Sequence, residues 1–254
     1  MGETAEELPR VLQLLWGIDE PNRPGPKPGL SITGIGAAAV RIADAHGLGA
    51  VSMSKVAAEL GFTTMSLYRY VSSKDDLYVV MVEEAFGRPE LGDLGGEAGW
   101  RERITAWATA VRDAIRRHPW ILQVPISEPP LSPKQLEWME AGLRAFEGTA
   151  LTEQDRLSSM VLVNIYVRGV TQLTMNMFSS QAAANLTGQE ADLIYARRLA
   201  RLADPDRFPM VAGAVLSGAL EDDSDFGTDE FLFGLRTVLD GVATLIHRRH
   251  STAP

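Results

Sequence analysis

Runs of apolar residues at helical spacing begin after Ser31, where Ile35 and Ile42 belong to a run that ends before Gly47. A serine before such a run and a glycine after it predict a capped amphipathic helix. Upstream, residues 6–16 predict a short helix. The stretch "DEPNRPGPKPGL" has four prolines and predicts an extended arm, because proline is not tolerated inside a helix.

Two shorter helical runs follow and meet at Gly61. Ser52 and Thr63 precede them and predict their N-caps, so that the second helix covers residues 64–71. The segment "SSKDDL" then begins a longer helix near Lys74. This order predicts a helix-turn-helix. Its predicted core residues are Val56, Ala57, Leu60, Leu67 and Leu77.

The chain from Trp100 onward has helical periodicity, without the alternation that is typical of a strand. One run begins after Thr152 and is apolar on nearly all sides as far as Val170, which predicts a long, central and buried helix. A charged helix is predicted near residues 189–203, followed by a loop at "EDDSDFG". The last run, "TDEFLFGLRTVLDGVATLIHRRH", carries a wide apolar stripe.

These patterns predict an all-α fold in which a three-helix, helix-turn-helix head precedes a larger C-terminal helical bundle. The glycine-rich stretch "GRPELGDLGGEAG" has no apolar period and suits a connection between the two parts. We place an N-terminal extension with the basic arm at residues 1–29, the head at residues 30–88 and the helical body at residues 89–254.

Charge is distributed unevenly along the 254 residues. The formal net charge is -9 at pH 7, yet the segment from Arg23 to Lys74 has six basic and two acidic side chains, a net +4 that leaves -13 for the remainder. A basic head on an acidic body suits a polyanionic partner such as DNA. In a helix-turn-helix protein the second helix lies in the major groove, and the preceding helix supports it.

The second short helix contains the residue types that this geometry requires. Small Thr64 and Ser66 allow close approach to base edges, and Met65 offers an apolar contact to a thymine methyl. Tyr68 and Tyr70 can donate to phosphate oxygens, and a lysine follows at the start of the next helix. The predicted DNA-binding residues are Ser54, Lys55, Thr63, Thr64, Met65, Ser66, Tyr68, Arg69, Tyr70 and Lys74.

Residues 30–86 resemble the DNA-binding head of the TetR repressors. The sequence "ADAHGLGAVSMSKVAAELGFTTMSLYRYVSSKDDL" follows the family pattern of Asp-x-x-Gly, then "S-M-x-x-V-A-x-x-L-G", then "S/T-x-x-x-L-Y-x-H/Y-F/V-x-x-K-x-x-L". Ser54 departs from this pattern, in which a longer basic or polar side chain is common. The stretches "LPRVLQLLWGIDEPNRPGPKPGLS" and "FLFGLRTVLDG" resemble the branch with tetracycline-repressor-type bodies.

The resemblance implies a body that binds a small-molecule inducer and a homodimer formed through the last two long helices. Two heads would then bind a pseudo-palindromic operator in double-stranded DNA. For the dimer contact we favour the stripe of the last helix, and packing inside the same subunit is the alternative. The stripe consists of Phe231, Leu235, Val238, Leu239, Val242 and Leu245.

A polar stripe on the longest helix predicts part of a ligand site. Its four residues follow at spacings of four, four and three, so they share one side of the helix. Buried polar groups need partners, which a small molecule or a neighbouring helix can supply. The predicted ligand contacts are Trp107, His118, Trp120, Trp138 and the stripe residues Asn164, Arg168, Gln172 and Met175.

Enzyme signatures are missing from the sequence. It has no cysteine, and its four histidines lack metal-ligand spacing. We therefore predict no catalytic residue, no cofactor and no metal site. Without a signal-peptide pattern or a long uninterrupted apolar run, the sequence predicts a cytoplasmic protein with no membrane contact.

The sequence thus predicts a transcriptional repressor that a small-molecule ligand releases from its operator. One alternative is a DNA-binding regulator that takes no ligand, including an activator. Another is a helical small-molecule-binding protein or enzyme whose head is vestigial. Arg23 and Lys27 of the arm either enter the minor groove or belong to an arm without contacts.

Overall fold

The computed structural model describes residues 8–18, 29–92, 98–126, 128–219 and 226–252. The predicted basic arm with Arg23 and Lys27, and residues 221–225 of the predicted loop, lie outside these ranges. Two short 3-10 segments occur at Leu48–Ala50 and Pro119–Gln123. The α-helices of the described residues are α1 (Arg10–Leu15), α2 (Ile32–His46), α3 (Met53–Leu60), α4 (Thr64–Leu67), α5 (Lys74–Phe86), α6 (Trp100–Arg117), α7 (Pro133–Arg144), α8 (Glu153–Ala183), α9 (Gly188–Leu202), α10 (Pro209–Leu216) and α11 (Phe226–Thr252).

The chain divides into two compact units. The first contains the described residues up to Ile165 and those from Gly241 onward, and the second contains Tyr166–Asp240. The long helices α8 and α11 therefore each contribute to both units. The predicted boundary between residues 88 and 89 is a division within the first unit, and it stays a prediction.

Within the first unit, the head is built around α2 and α5, which pack against each other. Gly36 allows the two helices to approach, because a Cβ at this position would lie 2.9 Å from Val80 Cγ1 and 3.1 Å from the Val80 carbonyl oxygen. Leu60 is half-buried. The other predicted core residues are buried, namely Val56, Ala57, Leu67 and Leu77.

Side-chain caps fix the starts of the head helices. Ser31, Ser52, Thr63 and Ser73 each accept a hydrogen bond from the backbone N–H three residues further on, at 3.0–3.3 Å. At the other end of α3, Gly61 has a φ of 74°, in the left-handed region that glycine adopts without strain. The predicted helix starts are confirmed.

The predicted recognition helix is shorter than expected. Its helical part, α4, ends at Leu67, and residues 68–70 form a turn instead of continuing the helix to residue 71. The N–H groups of Tyr70 and Val71 both donate to the Leu67 carbonyl, at 2.8 and 3.0 Å, which tightens the last turn. Residues 63–70 are called the recognition segment below.

Packing of the body within the first unit follows the predicted apolar face of α6, whose Ile104, Trp107, Ala108, Val111 and Ile115 are all buried. Helix α7 comes close to it at Gly142, where a Cβ would lie 3.0 Å from Trp107 Cε2 and 2.9 Å from Met160 Sδ. The guanidinium of Arg103 donates to three backbone carbonyls at 2.6–3.1 Å. These carbonyls belong to Ala98, Ala145 and Glu147.

In the second unit, α8 and α11 come close at Gly234, which lies beside the ring of Tyr166. The Tyr166 hydroxyl donates to the carbonyls of Glu230 and Phe231, at 2.8 and 3.0 Å. The sequence did not predict α10, since its run "PMVAGAVL" is short and has no polar face. The charged helix predicted near residues 189–203 is confirmed as α9.

Two predictions for the long helices are wrong. Phe231, Leu235, Leu239 and Val242 of the proposed dimer stripe are buried within their own chain, and Val238 and Leu245 are half-buried. Conversely, α8 is not buried on all sides, because Ile165 is 64% exposed and two further apolar residues are 49% exposed each. These residues are Val161 and Leu162. The periodicity located the apolar faces of both helices, but it did not show which of these faces packs against the rest of the same chain.

Candidate nucleic-acid interface and ligand site

All ten predicted DNA-binding residues remain accessible in the head. Met65 is 73% exposed and Tyr68 46% exposed. Thr64, Ser66 and Tyr70 are half-buried. The remaining five are exposed, namely Ser54, Lys55, Thr63, Arg69 and Lys74.

Pairs of hydroxyl groups fix the N-terminal ends of α3 and α4, which belong to this surface. The Thr63 and Ser66 hydroxyls lie 2.9 Å apart, and Thr63 Oγ1 also accepts from the Ser66 N–H. Ser52 Oγ, the cap of α3, lies 3.1 Å from Ser54 Oγ. These bonds fix the backbone of both segments while leaving Met65 and Lys55 projecting into solvent.

The two tyrosines of the recognition segment differ in their environment. Tyr70 is half-buried, and its hydroxyl donates to the Leu30 carbonyl at 3.1 Å. The prediction that Tyr70 donates to phosphate is therefore corrected, because a phenol has a single hydrogen to donate and the head already uses it. The Tyr68 side chain is exposed and keeps the predicted role.

Lys74 occupies the first position of α5, where its side chain is exposed. The ammonium nitrogen lies 5.4 Å from the centre of the Tyr78 ring, within cation-π range. Asp76, in the same helical turn, accepts from the N–H and hydroxyl of Ser72 at 2.8 and 2.5 Å. This carboxylate is thus engaged by the capping turn.

The four aromatic residues predicted as ligand contacts have hydrogen-bond partners within the protein. Trp107 donates its indole N–H to the Trp138 carbonyl at 2.8 Å, and Trp138 donates to the Gly87 carbonyl at 3.0 Å. Both indoles are buried, so their polar atoms face acceptors of the protein core. These bonds give both side chains a role in core packing, and their contact with a ligand stays a prediction.

The other two aromatic residues join the body to the head. Trp120 Nε1 donates to Asp44 Oδ1 at 2.7 Å, and His118 Nδ1 lies 2.9 Å from the same oxygen. Because a carboxylate only accepts, the hydrogen between His118 and Asp44 belongs to the imidazole. Both residues thus hold the head helix α2, and their contact with a ligand stays a prediction.

The polar stripe of α8 is neither fully buried nor fully exposed. All four of its residues are half-buried. Gln172 donates to Asn176 at 2.9 Å, and burial lowers the pKa of the Arg168 guanidinium. Ligand contact by this stripe stays a prediction. Its members are Asn164, Arg168, Gln172 and Met175.

Comparison with known families assigns both parts of the chain. The family described as "Bacterial regulatory proteins, tetR family" matches residues 35–81, and "Tetracyclin repressor-like, C-terminal domain" matches residues 92–246. The chain belongs to the TetR family. This confirms the all-α fold, the helix-turn-helix head and the larger helical body.

Relatives with assigned roles are transcriptional regulators. The chain is 36% identical over 251 residues to the HTH-type transcriptional repressor DrrR1 of Streptomyces coeruleorubidus, which covers 98% of this chain and 90% of that protein. It is 32% identical over 143 residues to an HTH-type transcriptional regulator of Saccharopolyspora erythraea, covering 56% and 60% of the two chains. The protein is thus a TetR-family DNA-binding transcriptional repressor.

Solved structures share the fold. Apo ActR from Streptomyces coelicolor superposes with a TM-score of 0.68 at 20% identity, covering 90% of this chain and all of ActR. ActR in complex with actinorhodin gives a TM-score of 0.70 at 22% identity, covering 85% and 97% of the two chains. At these identities the likeness supports the TetR fold alone.

Sequence reasoning missed two carboxylates of the TetR head that hold the body. Asp44 accepts the hydrogen bonds from the segment after α6, as described above. Glu83 is only 4% exposed and accepts from Ser132 Oγ at 2.5 Å and from the Lys134 N–H at 2.9 Å, at the start of α7. The sequence signal for Glu83 was an acidic residue on the otherwise apolar side of α5, six positions after Leu77.

The described parts of this TetR-family chain contain no candidate membrane span and no candidate metal site. None of the helices in the described ranges is long and apolar enough to span a bilayer. Within the same ranges, no three acidic, histidine or cysteine residues cluster in a way that could hold a metal ion.

Proposed function

We propose that two copies of the chain bind a pseudo-palindromic operator and release it when a small-molecule ligand binds the body. The observation that carries this proposal is the exposed recognition segment, with Met65 and Tyr68 uncovered on a turn that capping bonds hold rigid. An exposed apolar side chain and an exposed hydroxyl at the start and end of such a segment can reach a base edge and a phosphate. A TetR head has DNA as its partner.

Individual roles follow from position and chemistry. Thr64 and Met65, at the start of α4, are placed to meet base edges in the major groove. Tyr68, Arg69 and Lys74 supply a hydroxyl, a guanidinium and an ammonium for phosphate oxygens. Ser54 and Lys55 add one base-edge and one phosphate contact from the start of α3.

Dimerisation is needed to present two heads to successive major grooves, about 34–36 Å apart or a multiple of that distance. We assign the contact to the exposed apolar side of α8 in place of the buried stripe of α11. Val161, Leu162 and Ile165 offer adjacent aliphatic surface there, and such surface is stabilised by a second copy.

The ligand is proposed to contact the half-buried stripe of α8. Arg168 brings a positive charge that burial makes less favourable, so a ligand oxygen that is acidic or a carbonyl would stabilise it. ActR, whose fold this chain shares, has been solved with (S)-DNPA and with actinorhodin. Aromatic compounds with acidic oxygens are therefore the first ligands to test.

Operator binding is tested on a duplex selected from a random pool, with fluorescence anisotropy at several salt concentrations. Lys74→Gln is expected to reduce the slope of log affinity against log salt by about 1, since one phosphate contact is lost. Tyr68→Phe removes no charge and is expected to weaken binding about tenfold at unchanged slope. Arg197→Gln, in α9 outside the head, is the control for loss of one positive charge and leaves the slope unchanged.

Ligand response is tested by titrating the selected complex with aromatic carboxylates and polyketide-type quinones. A ligand can release DNA only as far as it binds the DNA-free state of the protein more tightly than the DNA-bound state. Release by one of these compounds, reduced by Arg168→Met, supports the proposal. If no compound changed DNA binding, a regulator without a ligand would be favoured. If the protein bound a ligand but selected no operator from the pool, a ligand-binding protein with a vestigial head would be favoured.

A further inference from the structure

Helix α1 lies outside both TetR-family matches, which begin at residues 35 and 92. It has only six residues, too few to be stable as an isolated helix. Val11 and Leu12 are 3% and 4% exposed, and α1 packs against α5 of the head. This burial fixes α1 on the surface of the head.

The first residue of α1 bonds to the recognition segment. Arg10 Nε donates to the Arg69 carbonyl at 3.2 Å. Arg69 lies in the turn that follows α4, where carbonyl groups are left without helical partners. A cation that donates to such a carbonyl acts as a C-terminal cap, and it restrains the turn that also carries Tyr68.

The other end of α1 bonds to the body. Trp16, the residue after the last turn of α1, donates its indole N–H to the Leu131 carbonyl at 2.9 Å. Leu131 directly precedes Ser132, the N-cap of α7, whose hydroxyl donates to Glu83. The indole therefore bonds beside the point where α5 already holds the start of α7.

We propose that α1 positions the recognition segment for operator binding, with Arg10 and Trp16 as positioning residues. The rigid helix links the Arg69 carbonyl to the chain at the start of α7, so the turn after α4 is fixed from outside the helix-turn-helix. A one-turn recognition helix has few bonds of its own to fix its direction, and this link supplies the restraint. The proposal rests on operator binding by the head.

The test compares a selected operator duplex with a scrambled duplex of equal length. Non-specific binding depends on phosphate charge, whereas specific binding also needs the recognition segment in its correct orientation. Arg10→Ala and Trp16→Phe are each expected to weaken operator binding about three- to tenfold, the range of one lost hydrogen bond. Affinity for the scrambled duplex and the salt slope should stay at the wild-type values.

Matched variants separate positioning from other effects. Arg10→Lys keeps a donor and should restore most of the operator affinity, and Trp100→Phe in α6 controls for the exchange of an indole for a phenyl ring. Melting temperatures and circular dichroism of each variant report folding. Wild-type binding to the operator reports the proposed function independently of α1.

Two results would overturn the inference. If Arg10→Ala weakened both duplexes equally and reduced the salt slope by about 1, Arg10 would be a phosphate contact. If Trp16→Phe bound the operator like the wild type, α1 would not transmit any restraint from the body.

Discussion

Gly234→Ala is expected to destabilise the second unit. In α11, a Cβ at position 234 would lie 2.6 Å from Tyr166 Cε2 and Cζ, and closer still to the hydroxyl oxygen. The ring cannot simply move away, because it stacks on Phe231 at 6.2 Å and its hydroxyl donates to two carbonyls of α11. Either the tyrosine or the helix backbone must shift.

The magnitude follows from three contributions. Overpacking of a filled site costs about 1–3 kcal/mol, and loss of the tyrosine hydrogen bonds costs about 1 kcal/mol. Alanine offsets about 1 kcal/mol through its higher helix propensity. The net loss is about 2 kcal/mol. For a chain of this length it corresponds to a decrease in melting temperature of about 4–8 °C.

Thermal unfolding is followed by circular dichroism at fixed protein concentration, because the melting temperature of any oligomer depends on concentration. Gly241→Ala is the control in the same helix, since no atom lies within 4 Å of its added Cβ. It should raise the melting temperature by about 2–4 °C. In a Tyr166→Ala background, Gly234→Ala should no longer be destabilising.

Equal shifts for Gly234→Ala and Gly241→Ala would refute this reasoning. So would an unchanged penalty of Gly234→Ala in the Tyr166→Ala background, because the clash with the ring would then not be the cause.

Two further predictions concern titration and the tyrosines of the head. Arg249 donates to both carboxylate oxygens of Asp155 at 2.8 and 2.9 Å and is the main cause that lowers the Asp155 pKa from 3.8 to about 2. This pair stabilises the fold fully above about pH 4 and is lost as pH falls to about 2, so Asp155→Asn should flatten the pH dependence of the melting temperature in that window. Tyr70→Phe should cost about 1 kcal/mol of stability with operator affinity retained, whereas Tyr68→Phe should weaken operator binding at unchanged melting temperature.

The starts of the head helices could be predicted because they depend on local hydrogen bonds. A serine or threonine before a short apolar run bonds to an N–H only three residues away, so the starts of α3, α4 and α5 depend on neighbours in sequence. The end of α4 is different. Beyond it the chain turns to bury Val71, and the turn receives a hydrogen bond from Arg10 of a distant helix, a contact that no local pattern contains.

Residues with the same sequence signal can differ in burial. Tyr68 and Tyr70 are two positions apart and share a motif, yet only Tyr70 meets a carbonyl from 40 residues upstream. In the same way, periodicity located the apolar faces of α8 and α11 but could not identify the face that their own chain covers. The choice between core and dimer contact is a tertiary property.

The hydrogen bonds of the aromatic residues of the body could not be predicted from the sequence, for a related reason. An indole has one donor, and in Trp107, Trp120 and Trp138 that donor meets a carbonyl or carboxylate brought close by the fold. The acceptors are backbone carbonyls and Asp44, which carry no sequence signal that points to a tryptophan. The stripe of α8, in contrast, is defined by spacing within one helix, and its residues are half-buried.

The two carboxylates that hold the body constrain how the head can respond to it. Asp44 and Glu83 lie on α2 and α5, and their donors belong to the segment after α6 and to the start of α7. A movement of these donors alone would leave a carboxylate with fewer bonds, at a cost of about 1–3 kcal/mol for each lost partner. A movement that carries α2 and α5 along keeps every bond. The head should therefore follow displacements of the start of α7 as a rigid body, and any ligand that separates them must bind the separated state more tightly by at least that free energy.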